Sequence, residues 1–141
     1  MEEMTPAQRR EFLLEGPRTG KLATVRKDGR PHVVPIWYVL DGDILVFTTW
    51  HETVKAANMR RDPHVCICVD DPEPPFAFVM IEGTVAIEEQ PDNFEHWTTK
   101  IAGRYMGPEL AESYGKRNSV EGEWLVWVTP TKVIARRNIA D

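Results

Sequence analysis

The sequence is short of several things, and each shortage narrows what the chain can be. Its 141 residues include only two cysteines, Cys66 and Cys68. They lie two positions apart in an apolar run, so in a strand they point to one face and make a poor disulfide. The reading is two reduced thiols in a core strand. No apolar stretch approaches the roughly 18 residues that a membrane span needs, so no membrane association is expected. Met1-Glu2-Glu3-Met4 lacks the charged-then-apolar pattern of an export signal, and a cytoplasmic location is the expectation. Positive charge is in deficit too. With 17 Lys and Arg against 22 Asp and Glu, the net charge of -5 gives nucleic-acid binding no electrostatic support.

Familiar catalytic patterns are also missing. His32, His51, His64 and His96 have no metal-ligand spacing among them, and no metal is expected. No serine sits in a GxSxG elbow, and there is no Walker-type loop. Asp70, Asp71 and Glu73 form an acidic cluster, which a solvated Pro-rich loop explains. Without a nucleophile, a metal or an acid–base pair, an enzyme of this sequence would rely on a cofactor for its reactivity.

What is present is the pattern of a small mixed fold. Hydrophobic residues at 42% and charged residues at 28% suit a soluble globular chain. There is no repeat, low-complexity tract or linker, so one domain spanning 1–141 is expected. Thr5-Pro6-Ala7-Gln8 starts a helix, with Thr5 as cap and Gln8 reaching back, and Gly16-Pro17 ends it. Strands are predicted over 19–26, 31–40 and 43–49, joined by turns at Asp28-Gly29 and Asp41-Gly42. Further strands follow over 64–69, 76–87 and 123–129, the last continuing over 132–136 past Pro130. Gly83 marks a bulge in the long 76–87 strand. Short helices are predicted over 52–61, 91–105 and 109–116, with Phe94, Trp97, Ile101 and Tyr105 on one face.

The fold class is therefore α+β, mainly β: a six-stranded antiparallel barrel with a few short helices. Ile44-Leu45-Val46-Phe47 is apolar on both faces of its strand. One face must meet the barrel interior, and the other a helix or a second subunit. Trp124 and Trp127 are offset by three and face opposite sides of theirs.

Two segments carry the candidate chemistry. In Phe47-Thr48-Thr49-Trp50-His51-Glu52-Thr53-Val54-Lys55, two hydroxyls end a strand just before a helix begins. A helix start offers free N–H groups and partial positive charge, a seat for phosphate. Lys55 falls near that first turn, where a cation is unfavourable unless an anion joins it. The other reading of Lys55 is a surface lysine paired with Glu52. Arg60 and Arg61 fall in the last turn, where cations suit the dipole. In Pro35-Ile36-Trp37-Tyr38, a proline in a strand implies a free edge or a bulge. Backbone groups there could bond a planar heterocycle, and Trp37 could cover a ring face. The other reading of Trp37 is a core aromatic at a barrel corner.

Taken in order, Gly20-Lys21-Leu22-Ala23-Thr24-Val25, Asp28-Gly29-Arg30-Pro31-His32, Lys55 to Pro63 and Ile81-Glu82-Gly83-Thr84-Val85 resemble the pyridoxamine-phosphate-oxidase-like split-barrel superfamily. True pyridoxamine-phosphate oxidases bind FMN and carry an arginine and a lysine where this chain has Val34 and Val39. They also have an arginine where it has Val54 and a glutamine near Phe78. These departures argue against pyridoxamine-phosphate oxidation. Lys55 to Pro63, with Arg104-Tyr105-Met106-Gly107, is similar instead to the branch that uses the deazaflavin coenzyme F420.

That resemblance implies a homodimeric split β-barrel with the coenzyme in a groove between subunits. It implies that Lys55 and Thr48 or Thr49 hold the coenzyme phosphate, with the Pro35, Ile36 and Trp37 backbone along the ring. Asn58 and Arg61 match motif positions as well. The expected function is an F420-dependent reductase passing hydride to an electron-poor small molecule such as an enone, quinone or nitro compound. Tyr38, Tyr105 or water could deliver the balancing proton, with Tyr38 named from its neighbourhood alone. Two alternatives stand beside this: an FMN-binding oxidoreductase of the same fold, and a non-catalytic protein that binds a coenzyme or haem.

Overall fold

The computed structural model describes all of residues 1–141 and contains one antiparallel eight-stranded sheet with four helices. β1 (Glu2–Glu3) is a short pairing on the end of the last strand. α1 (Pro6–Leu14) starts at the expected capping box: Thr5 Oγ1 accepts from the Gln8 amide at 3.2 Å, and Gln8 Oε1 accepts from the Thr5 amide at 2.9 Å. β2 (Gly20–Val25) and β3 (Pro31–Ile36) form a hairpin around Gly29, whose φ of +89° is one that glycine adopts readily. β4 (Val39–Asp41) turns at Gly42 into β5 (Ile44–Trp50).

The expected single strand over 31–40 is thus two strands, β3 and β4, and they lie at opposite ends of the sheet. The order is β3-β2-β6-β7-β8-β5-β4. Only Trp37 and Tyr38 separate them, so the chain steps from one sheet edge to the other in two residues. No ladder joins those two edges. The sheet is an open barrel of eight strands rather than six, with a seam where its ends approach. Pro35 sits on the edge strand, where its missing N–H breaks no ladder bond.

After β5 come α2 (Val54–Arg61), β6 (His64–Asp71) and β7 (Ala77–Glu88). Then follow α3 (Phe94–Met106), α4 (Ala111–Asn118) and β8 (Glu123–Arg137). β8 runs unbroken past Pro130. The register against β7 slips beside Gly83, which pairs with Pro130 while Glu82 pairs with Lys132. The extra residue, Thr131, is on β8, so Gly83 marks the bulge without carrying it.

A Cβ at Gly83 would lie 2.6 Å from the Thr129 carbonyl oxygen and 3.0 Å from Val128 Cγ1. Backbone on a central strand cannot yield cheaply. Gly83→Ala is therefore expected to cost about 2 kcal/mol or more. A denaturant midpoint indistinguishable from that of the unchanged protein would refute this close approach.

Two apolar clusters form. The larger fills the barrel with Leu22, Leu45, Phe47, Ile67, Val79 and Val126, helped by Phe12 and Leu13 of α1 and Met59 of α2. The smaller lies on the other face of β5 and β8. There Val46 and Leu125 meet Phe94, Trp97 and Ile101 of α3. The second cover of β5 is thus α3 from the same chain. Trp127 packs edge-on to Trp97 at 5.1 Å and donates Nε1–H to Glu88 at 2.6 Å. Trp124 is buried under the Arg60 guanidinium, 4.5 Å from its ring centroid. The cysteines are free and half-buried on β6, and burial raises both thiol pKa values. No helix is long and apolar enough to cross a membrane.

Candidate functional site

The seam in the sheet leaves a cleft of about 260 Å³ lined by Pro35, Ile36, Trp37, Thr48, Lys55, Ile101 and Asn118. It lies where the free end of β3 faces β5, beyond the short reach of β4. Five of the eight binding residues expected from sequence line it: Pro35, Ile36, Trp37, Thr48 and Lys55.

Trp37 stacks on Tyr105 with centroids 5.1 Å apart and planes 3° from parallel, and it remains 40% exposed. It is therefore a shelf at the cleft rather than a core aromatic. Tyr105 is pinned from behind. Its hydroxyl accepts from the Tyr38 amide at 3.1 Å and donates to the Arg18 carbonyl at 2.7 Å. Burial pushes its pKa up to about 12, so the phenol stays protonated. Arg104 braces the same corner. Its guanidinium donates to the carbonyls of Tyr38 at 3.0 Å, Leu13 at 2.7 Å and Gly16 at 2.9 Å, and lies 4.4 Å from the centroid of the Tyr38 ring.

Lys55 sits at the second position of α2. The helix is capped by Thr53, whose Oγ1 accepts from the Ala56 amide at 3.3 Å. That leaves the Val54 and Lys55 amides without a partner in the chain. The Lys55 ammonium is half-buried and forms no ion pair, since Glu52 lies against His51 at 3.7 Å instead. Burial lowers the Lys55 pKa from its ordinary value, opposed by the charge of Glu123. Burial likewise raises the Glu123 pKa, against the pull of the Thr48 hydroxyl, Lys55 and His51. The Lys55 ammonium thus lies half out of water near two unpaired amides, the Thr48 hydroxyl and the Glu123 carboxylate.

The remaining expected residues are elsewhere. Thr49 points into the barrel and shares a 2.8 Å hydrogen bond with Thr53 Oγ1, so it supports the helix cap. Asn58 is buried, donating to Thr24 Oγ1 at 3.0 Å and accepting from Arg61 at 3.3 Å. Arg61 also donates to the Val25 carbonyl. Both side chains face the β2–β3 hairpin and tie α2 to it. Tyr38 is fully buried, and its hydroxyl donates to the Leu13 carbonyl at 2.7 Å, which leaves it no route to the cleft. Arg60 pairs with Glu89 at 2.8 Å.

Sequence reasoning misses two residues that line the cleft, Ile101 and Asn118, and one beside Lys55, Glu123. Ile101 was visible as part of an apolar face, but nothing local tied that face to Thr48. Glu123 reaches it through register, because β8 runs antiparallel to β5 with Glu123 opposite Trp50 and Leu125 opposite Thr48.

The sequence profile of pyridoxamine 5'-phosphate oxidase matches residues 5–136. The chain belongs to this family. Among solved structures, the conserved protein Rv2991 from Mycobacterium tuberculosis is similar at 27% identity. That alignment covers 98% of this chain and 89% of the other, with a TM-score of 0.83. A protein named F420 reductase shares 32% identity over 87% of this chain and 94% of its own, with a TM-score of 0.69. A FAD-binding protein from Mesorhizobium loti shares the fold at 20% identity, covering 95% of this chain and 93% of its own, with a TM-score of 0.68. Family membership and the F420 reductase likeness place the chain among proteins of a flavin- and deazaflavin-binding fold.

Proposed function

We propose that this member of the family binds coenzyme F420 in the seam cleft and serves as a reductase of electron-poor small molecules. The observation that carries the reading is Lys55: a half-buried ammonium with no ion pair, at the start of a helix, beside Thr48 and one cleft away from the Trp37 shelf. Lys55, Thr48 and the free amides of α2 would hold the coenzyme phosphate. The backbone of Pro35 to Trp37, on a free sheet edge, would run along the ring. When bound, the deazaflavin supplies a hydride from its ring carbon to an enone, quinone or nitro acceptor.

The chain's own residues orient and shield. Trp37, backed by Tyr105, forms a flat wall, and Ile101 gives the cleft an apolar side. Neither Tyr38 nor Tyr105 is placed to give up a proton, because each hydroxyl proton is already donated to a backbone carbonyl. Solvent is then the proton source. The departures at Val34, Val39 and Val54 speak against pyridoxamine phosphate as substrate.

The cleft in one chain, about 260 Å³, is smaller than the roughly 300–1,000 Å³ of pockets that enclose a ligand of this size. A second subunit closing over the seam would complete it, which supports the homodimer reading. A cradle that reads a phosphate and a flat ring suits FMN as well, so the same fold with FMN is the second reading. Haem fits less well, since the lining of the cleft in this chain offers no His, Cys, Met or Tyr ligand.

The test mixes purified protein with reduced F420 and a panel of quinones, enones and nitro compounds, following the return of the oxidised coenzyme's visible band. Micromolar binding and acceptor-dependent reoxidation are expected. No F420 binding, with FMN held tightly instead, would move the assignment to FMN. Binding of neither would overturn it.

A further inference from the structure

A larger cavity, of about 460 Å³, opens between α1, the β4–β5 turn and the β7–β8 bulge, away from the seam cleft. Its composition is divided. Leu13, Leu40, Ile81 and Val133 form the floor; Leu13, Leu40 and Ile81 are 6%, 8% and 3% exposed and belong to the barrel core. The rim carries Arg9, Arg10 and Lys132. Asp43 is the sole carboxylate in the lining, and no ion pair joins it to any of the three cations. Arg10 is tethered by donating to the Gly42 carbonyl, which fixes one side of the mouth. Arg9 and Lys132 keep their charge for whatever enters.

Three unpaired cations around a mouth would be a solvated surface if the floor were polar or shallow. Here the deepest lining belongs to the barrel core, and the Thr131 bulge lies beside it. The cavity volume lies within the roughly 300–1,000 Å³ of small-ligand sites, and its mouth is open to solvent. Its apolar base and cationic rim match a molecule with the opposite pattern.

We propose that this cavity is a second binding site, for a small amphipathic monocarboxylate. The carboxylate would lie between Arg9 and Lys132, and an aliphatic chain or ring would rest on Ile44, Pro130 and Val133, the partly exposed apolar lining above Leu13, Leu40 and Ile81. No residue lines both this cavity and the seam cleft.

Octanoate is the probe, titrated below its micelle threshold by isothermal calorimetry against the full chain. Saturable binding with a Kd below about 1 mM is expected, with acetate and 1-octanol each at least about tenfold weaker because one lacks the tail and the other the charge. The double variant Arg9→Gln, Lys132→Gln changes two groups at the cavity rim, with its fold checked by circular dichroism. It is expected to lose at least about tenfold in octanoate affinity. Lys55→Gln is expected to bind octanoate as the parent does while losing coenzyme. The proposal is overturned if octanoate shows no saturation by about 10 mM. It is overturned equally if acetate binds as well as octanoate, or if Lys55→Gln rather than the rim variant abolishes binding.

Discussion

Lys55→Gln is expected to weaken F420 binding by about ten- to a hundredfold while leaving the fold intact. Removing a charge-assisted hydrogen bond to a phosphate costs about 1.5–3 kcal/mol, and that is about one to two decades in Kd. A lysine that only decorated the surface would give no such change. The unliganded protein should not lose stability by the same substitution. Burial lowers the Lys55 pKa, so its charge is a cost to the folded state below that shifted pKa. The cost is relieved as pH rises towards the unfolded value. The sign for binding is the reverse. The ammonium form holds the anion, so affinity falls as pH rises through the shifted pKa, earlier than for a free lysine near about 10.4. In Lys55→Gln that alkaline loss should vanish. Coenzyme titrations from neutral to alkaline pH read both effects at once.

Arg104→Ala is expected to be the most damaging single change at the site. The guanidinium donates to three carbonyls and lies over the Tyr38 ring. Truncation leaves the Gly16 carbonyl and one side of the Tyr38 and Leu13 carbonyls without that donor, and removes the cation from the ring face. Charged hydrogen bonds of this kind contribute about 1.5–3 kcal/mol each and are not additive. A total loss of about 3 kcal/mol is expected, read as a shift in urea midpoint at constant slope. The functional effect follows the same path. The carbonyl and ring of Tyr38 set the corner on which Tyr105 and then Trp37 rest, so coenzyme affinity should fall as well. Arg104→Lys keeps the charge and loses the fork, and should recover only part of either property. A cost within about 0.5 kcal/mol would show that Arg104 is an ordinary surface cation.

Much of this corner could be read locally, and the limits of that reading are physical. The Thr5 capping box, the Asp28-Gly29 turn and the two-faced strand around Val46 are short-range patterns, and the structure follows each. Lys55 and Thr48 were legible because a strand end and a helix start adjoin in sequence. The break at Trp37-Tyr38 was not legible. Residues 31–40 carry strand propensity throughout, and only the sheet order shows that β3 and β4 belong to different edges. Which of Thr48 and Thr49 lines the cleft could not be told until the face of β5 was known. Asn58 and Arg61 share a helix with Lys55 but sit on its other side. Tyr38 lies next to Trp37, yet its side chain enters the core. Asn118 reaches the cleft, and Glu123 the side of Lys55, from the far end of the chain, and no local signal could have placed them there.

The cover of β5 shows the same limit from the other direction. Two apolar faces required two partners, but composition could not choose between a helix and a second subunit. The structure supplies α3, through Phe94, Trp97 and Ile101. The homodimer reading therefore rests on the small volume of the seam cleft and on family resemblance, and no longer on this strand.

The most direct test is a crystal structure of the protein grown with F420. The account predicts the coenzyme phosphate within about 3 Å of Lys55 Nζ and Thr48 Oγ1, the distance of a charge-assisted hydrogen bond, with the tricyclic ring along Pro35 to Trp37. A ring bound elsewhere, or a Lys55 ammonium that points away from the phosphate into solvent, would contradict it.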